Sequence, residues 1–152
     1  MDLNDLKLEP ISEKDFSILV KAFQNYSLEL DANSHIRGIH AENFIKTVLK
    51  NPKRNVFWLS SLRNKLGFSI VTMERLWPDV ENFIGKINEF YVFPEYRQQG
   101  VGKHFVALLN DYFKENKCKQ IELEVLFSNE RGFSFWKSFG FETKKYLMQM
   151  DI

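Results

Sequence analysis

The sequence predicts a mixed α/β fold, α+β in its local strand pairing. Three observations carry that prediction. Apolar and polar residues alternate with period two in short stretches, as in half-buried strands. Apolar residues recur three and four apart in longer stretches, as in amphipathic helices. The resulting order is strand, two helices, three strands, helix, strand, helix, strand, which mixes hairpins with helix crossovers. The 152 residues are 44% hydrophobic, enough for one core. Residues 1–152 read as a single domain without repeat or linker.

Leu6, Leu8 and Pro10 alternate with Lys7 and Glu9 and suggest a short first strand. Ser12, with Asp15 three residues on, forms a capping box that opens a helix. Phe16, Leu19, Val20 and Phe23 give that helix an apolar face; it runs to about Leu30 or stops near Asn25. A second helix spans 41–49, with Phe44, Ile45, Val48 and Leu49 on one side and Asn51-Pro52 ending it. A strand over 56–62, a turn at 63–65 and a strand over 67–76 make a hairpin. Trp77-Pro78-Asp79 separates it from a strand over 83–92, closed by Pro94.

From 100 to about 116, Val101, Phe105, Leu108, Leu109, Tyr112 and Phe113 hold helical spacing. Ile121, Leu123 and Val125 alternate with Glu122 and Glu124 in the next strand. A short helix over 129–139 stops at Gly140, and a last strand is expected over 141–150.

Charge and cysteine content exclude several classes. With 21 basic and 20 acidic residues, the formal net charge of +1 gives no electrostatic case for nucleic acid or membrane binding. The basic clusters at 50–54 and 114–119 read as solvated surface. No stretch approaches the ~20 apolar residues that span a bilayer, and the first ten residues lack the apolar run of a signal peptide. A single cysteine, Cys118, excludes an intrachain disulfide and points to a cytoplasmic protein. Cys118 has no base near it in sequence, so it is not read as a nucleophile. His35, His40 and His104 lack metal-ligand spacing, so no metal site is expected.

The chemistry concentrates in Tyr91-Val92-Phe93-Pro94-Glu95-Tyr96-Arg97-Gln98-Gln99-Gly100-Val101-Gly102-Lys103. A strand stops at a proline, and a glycine-bearing turn opens a helix. A helix N-terminus carries unpaired donors and partial positive charge, and glycines let a ligand approach the backbone. The stretch is therefore a candidate diphosphate cradle. It is not a P-loop, because His104 follows Gly102-Lys103 where Ser or Thr is needed and Arg97 stands where the first glycine would be. It is not the dinucleotide fingerprint, because Phe105 occupies the third glycine position.

Arg97-x-x-Gly100-x-Gly102, preceded by Val92-x-Pro94-x-Tyr96, resembles the acetyl-CoA-binding motif of the GCN5-related N-acetyltransferase (GNAT) family. The likeness runs from about Gly67 to Phe141, including the long helix, the strand at 121–125, Asn129 with Trp136, and Gly140-Phe141. It implies a mostly antiparallel central sheet with helices on both faces and two strands splayed at the cofactor. It further implies acetyl-CoA as cosubstrate and direct transfer to a primary amine on a small molecule or peptide. A homodimer is one arrangement that relatives adopt.

On that resemblance, backbone N–H groups of Gln98, Gln99, Gly100, Val101, Gly102 and Lys103 hold the pyrophosphate, with charge from Arg97 and Lys103. Tyr91 and Val92 flank the pantetheine and offer a backbone N–H to the oxyanion, and Asn129 contacts pantetheine or simply caps its helix. Trp136 stands where the family commonly has a Tyr acid for the leaving thiolate. Indole donates a hydrogen bond but has no proton to give; Tyr146 or Tyr26 are the alternatives. That departure keeps open a second reading, a CoA-binding regulatory module with little transfer. Glu89, two residues before Tyr91 and on its strand face, is the candidate base. Glu74, Asp79 and Glu81, with Phe23, Tyr26, Trp77 and Phe83, would suit a cationic acceptor near the Trp77 loop.

Overall fold

The computed structural model describes residues 3–31, 39–62 and 64–152. His35 and Arg63 lie outside the described residues. Nine principal elements follow in the order β1 (Lys7–Pro10), α1 (Phe16–Leu30), α2 (Ile39–Lys50), β2 (Arg54–Ser60), β3 (Lys65–Leu76), β4 (Asp79–Val92), α3 (Val101–Glu115), β5 (Cys118–Leu123) and α4 (Glu130–Lys137). The sheet order is β1-β2-β3-β4-β5. Its first three pairings are antiparallel and the β4–β5 pairing is parallel. The parallel pair requires a crossover, and α3 supplies it.

Strand alternation sorts the side chains onto two faces. Val56, Trp58, Phe68, Ile70 and Tyr91 face α1 and α2, meeting Leu19, Phe23, Ala41, Ile45 and Val48. Phe57, Leu59, Leu66, Val71, Ile87 and Val92 face the other way, meeting Phe105, Leu109 and Phe113 of α3 and Trp136 of α4. The sheet therefore has helices on both faces, as the resemblance implied. Burial of these side chains is what holds the layers, at ~1.5–3 kcal/mol for each large apolar side chain removed from water.

Helix ends follow local chemistry. The Ser12–Asp15 capping box is present, but it opens a short 3-10 turn at Glu13–Asp15, and α1 follows from Phe16 to Leu30. Asn25 does not stop α1, since neither Gly nor Pro accompanies it. Gly140 has φ 90°, the left-handed conformation that ends α4.

Two strand expectations need correction. The fifth strand starts at Cys118 and ends at Leu123, so Glu124 and Val125 fall outside it. Residues 141–152 form no strand. Period-two alternation holds only weakly there: Leu147 and Met148 are adjacent, and both are exposed. The outer edge of β5 pairs with no strand among the described residues. Phe141 alone keeps a core contact, with its ring 5.4 Å from that of Trp136.

Close approach fixes one glycine beside the splayed end of β4. A Cβ on Gly67 would lie 2.2 Å from the Tyr91 carbonyl oxygen, a backbone atom that cannot swing aside. Gly67→Ala is expected to pry β3 from β4 at this end and cost about 1–3 kcal/mol. Urea denaturation checks this: the midpoint falls while the slope is kept. An unchanged midpoint would contradict the packing described.

Candidate active site

The site begins where β4 loses its neighbour. The β4–β5 ladder runs from Phe83↔Cys118 to Ile87↔Leu123 and goes no further. On the other side of β4 the register jumps between Ile70↔Glu89 and Val71↔Ile87, so Asn88 is an extra residue, a β-bulge. Bulges bend and twist their strand. Residues 88–92 thus continue beside β3 alone, and a wedge opens between them and β5.

Backbone direction in the wedge can be read from one bond. Phe93 N–H donates to the Leu66 carbonyl of β3 at 2.8 Å. Direction alternates along a strand, so Tyr91 also points its N–H at β3 while Val92 points its N–H into the wedge. Of the two residues expected to offer a donor there, Val92 has the orientation.

Past Val92 the chain makes a 3-10 turn at Pro94–Tyr96 and enters α3 through Gly100. Gln98 (φ 59°) and Gly100 (φ 79°) are both left-handed. Alternating the backbone hand in this way turns successive N–H groups toward one concave side, an anion nest. The first backbone bond into α3 is His104 N–H to Gly100 O, 3.2 Å. Among the described residues, the backbone N–H groups from Gln98 to Lys103 have no hydrogen-bond partner. Six adjacent free donors at a helix N-terminus suit a diphosphate in number and sign. Gly102 lets α3 sit close to α4, since a Cβ there would lie 3.2 Å from the Phe135 ring.

Arg97 behaves differently from the backbone around it. Its Nε donates to Val92 O at 2.8 Å, and its Nη2 donates to Glu29 at 3.1 Å (Oε1) and 2.8 Å (Oε2). Its guanidinium lies 5.1 Å from the Tyr91 ring centroid, and the Tyr91 hydroxyl donates to Glu29 Oε1 at 2.7 Å. The side chain is committed to α1.

Glu89 and Tyr91 do share the face under α1. The Tyr26 ring packs 5.5 Å from that of Tyr91 and 5.9 Å from that of Phe68. The Tyr26 phenol stands beside the Glu89 carboxyl. Burial pushes the Glu89 carboxyl above the usual carboxylate range, against the pull of the Tyr26 hydroxyl and the positive charge of Arg54. Burial, then the Glu89 charge, pushes the Tyr26 phenol up, so it stays protonated and acts as a donor.

On the opposite face Trp136 packs edge-on to Phe90, centroids 5.0 Å apart, and touches Phe135 and Phe139. It is a wall of the wedge and part of the core. Asn129 caps α4, its Oδ1 accepting from Gly132 N–H at 2.9 Å. The capping bond leaves its amide nitrogen as a donor.

Several expected contributors stand elsewhere. Leu76↔Asp79 closes the β3–β4 hairpin at the end opposite Gly67↔Val92. Trp77, Asp79, Glu81 and Phe83 therefore lie toward the opposite end of β4 from Val92; the nine residue steps from Phe83 to Val92 span ~30 Å. There Glu74 pairs with Lys86 and Asp79 bonds Asn82, both local ties. Tyr146 is exposed in the unpaired C-terminal stretch. Burial pushes the Cys118 thiol up, as suits an unreactive one. Glu29 was not foreseen. The available signal was its position three residues after Tyr26, a carboxylate continuing the stripe Leu19, Phe23, Tyr26.

The family model for the acetyltransferase (GNAT) family matches residues 23–141. The chain belongs to the GNAT family. An N-acetyltransferase of Archaeoglobus fulgidus, itself uncharacterised, is 24% identical over 135 residues, which cover 88% of this chain and 90% of that one. Among solved structures, a possible acetyltransferase from Clostridium difficile 630 superposes with TM-score 0.81 at 16% identity, covering 97% of each chain. An aminoglycoside acetyltransferase from an uncultured soil metagenomic sample, solved with sisomicin, gives TM-score 0.74 at 15% identity, covering 98% of this chain and 96% of that one. The structural likenesses establish the fold.

The buried carboxylate yields a test with a definite sign. A carboxyl whose folded-state pKa is raised supports folding at acid pH and costs stability once pH rises through that pKa. Glu89→Gln removes the cost. The variant should melt above the parent at about pH 8, and the gap should close toward about pH 4. A variant that melts lower at every pH would show that the ionised carboxylate is a net support of the fold.

Proposed function

We propose that this protein is an acetyl-CoA-dependent N-acetyltransferase that acts directly on a primary amine of a small molecule or peptide. The observation that carries the proposal is the run of six N–H donors from Gln98 to Lys103, without a hydrogen-bond partner among the described residues and set at the mouth of the β4–β5 wedge. The nest fits a pyrophosphate, and the wedge fits an extended amide-bearing arm that pairs with the free edge of β4. Acetyl-CoA, when bound, supplies the acetyl group as an activated thioester.

The chain's own residues then have separate tasks. Gln98 to Lys103 hold the phosphates, with the Lys103 ammonium adding charge. The Val92 N–H, facing the wedge, donates to the oxygen on which negative charge develops. Glu89 takes the proton that an alkylammonium, with pKa ~10, must lose before it attacks. Tyr26 holds the Glu89 carboxylate in place. Asn129 offers its amide to the arm. Trp136 shapes the thiolate end of the wedge; a thiol of pKa ~8.5 leaves without a strong acid.

One feature favours a second reading. Trp136 is a non-acid in the core, where the family resemblance leads one to expect a Tyr, and a CoA-binding module with little transfer would tolerate that. One assay separates the readings. The protein is incubated with acetyl-CoA and a panel of polyamines, aminoglycosides and lysine peptides, and free CoA thiol is followed. Thiol release with at least one amine is expected, and Glu89→Gln should lower kcat about 10²–10⁴-fold. CoA binding by calorimetry with no thiol release from any amine would favour the module.

A further inference from the structure

We infer that Glu29 and Arg97 form a latch that positions Val92 and the last turn of α1, and that the Arg97 side chain is not a phosphate ligand. The inference rests on the acetyltransferase reading above and assigns that site a positioning pair.

Three observations converge. First, the guanidinium is spent on protein. Nε is on Val92 O, Nη2 spans both oxygens of Glu29, and the plane lies over the Tyr91 ring. Of its three nitrogens, Nε and Nη2 are engaged by protein oxygens, and Nη1 has no hydrogen-bond partner among the described residues. Second, Glu29 is saturated from the same side, with the Tyr91 hydroxyl at 2.7 Å on the oxygen that also meets Arg97. The ion pair is partly shielded, with Arg97 22% and Glu29 43% exposed in their side chains. Third, the latch pins one peptide from both ends. The Val92–Phe93 peptide donates through Phe93 N–H to Leu66 O at 2.8 Å and accepts through Val92 O from Arg97 Nε at 2.8 Å.

That peptide adjoins the Val92 N–H in the wedge. Holding it still holds the donor still. Glu29 lies on α1, three residues from Tyr26, which stands beside Glu89. One carboxylate thereby fixes the strand end and the helix that covers the candidate base. The phosphate turn needs no guanidinium, because its backbone N–H groups have no hydrogen-bond partner among the described residues.

The test uses the full chain, with coenzyme A as the probe in calorimetry, transfer kinetics on the amine panel, and hydrogen exchange. E29Q and R97Q should each lower kcat/KM for the amine about tenfold or more, and the double variant should be no worse than either, because the pair acts as a unit. Affinity for coenzyme A should stay within about threefold in both. Amides of residues 26–30 should exchange faster in both variants. R97K should fail to rescue the kinetics, since an ammonium cannot hold Val92 O and Glu29 in one plane.

The inference is overturned if R97Q loses coenzyme A affinity tenfold or more and R97K restores it, the signature of a phosphate ligand. It is equally overturned if both variants match the parent in exchange and kinetics. Should the parent bind coenzyme A but acetylate no amine, the transfer reading fails separately, and unchanged exchange at 26–30 would then remove the latch as well.

Discussion

The bulge at Asn88 is the constraint from which the site follows. Upstream, β4 is held on both edges, by β3 and by β5. At Ile87↔Leu123 the parallel ladder ends, and the extra residue bends the strand there. A strand edge left bare in the middle of a sheet exposes polar backbone that needs partners. The protein leaves that edge open over residues 88–92 and places a glycine turn at its end. The parting of two strands and the free donors of a helix start are thus one feature, spaced by the short turn at Pro94–Tyr96.

Each face of the sheet contributes something different to that opening. The α3–α4 face is apolar: Phe90 packs on Phe105, Phe135 and Trp136 and gives the wedge a rigid aromatic wall. The α1 face is polar where it meets β4, with Tyr91, Glu29 and Arg97 tied to one another and Tyr26 beside Glu89. Buried polar groups are tolerated when each is bonded, and their loss is costly when one partner is removed. The division puts the buried polar groups on one face and the aromatic packing on the other.

How much of this could be read from the chain varies by element. The helices and inner strands were legible because their apolar spacing matches a single period over many residues, as in Val101 to Phe113. The glycine turn before α3 was legible because Gly100 and the helix start serve a backbone geometry that few residues adopt; Gln98, which shares the left-handed region, carries no such mark. The acceptor side was not legible. Trp77 and its neighbouring acids looked like a binding loop, yet hairpin register sends them to the far end of the sheet. Glu29 is 68 residues from Arg97 in sequence, and no local pattern encodes a pairing at that range. The expected strand over 141–150 had apolar residues without the alternation that would have set a face.

On the proposed function, the turn after β4 and the wedge beside it form one site for acetyl-CoA. Backbone amide NMR of the protein titrated with coenzyme A tests it most directly. The largest shifts are expected on the amides of Gln98 to Lys103 and of Val92, on both sides of the Pro94 turn, and they should saturate together. Shifts confined to other surfaces, or shifts of the turn with Val92 unmoved, would contradict it.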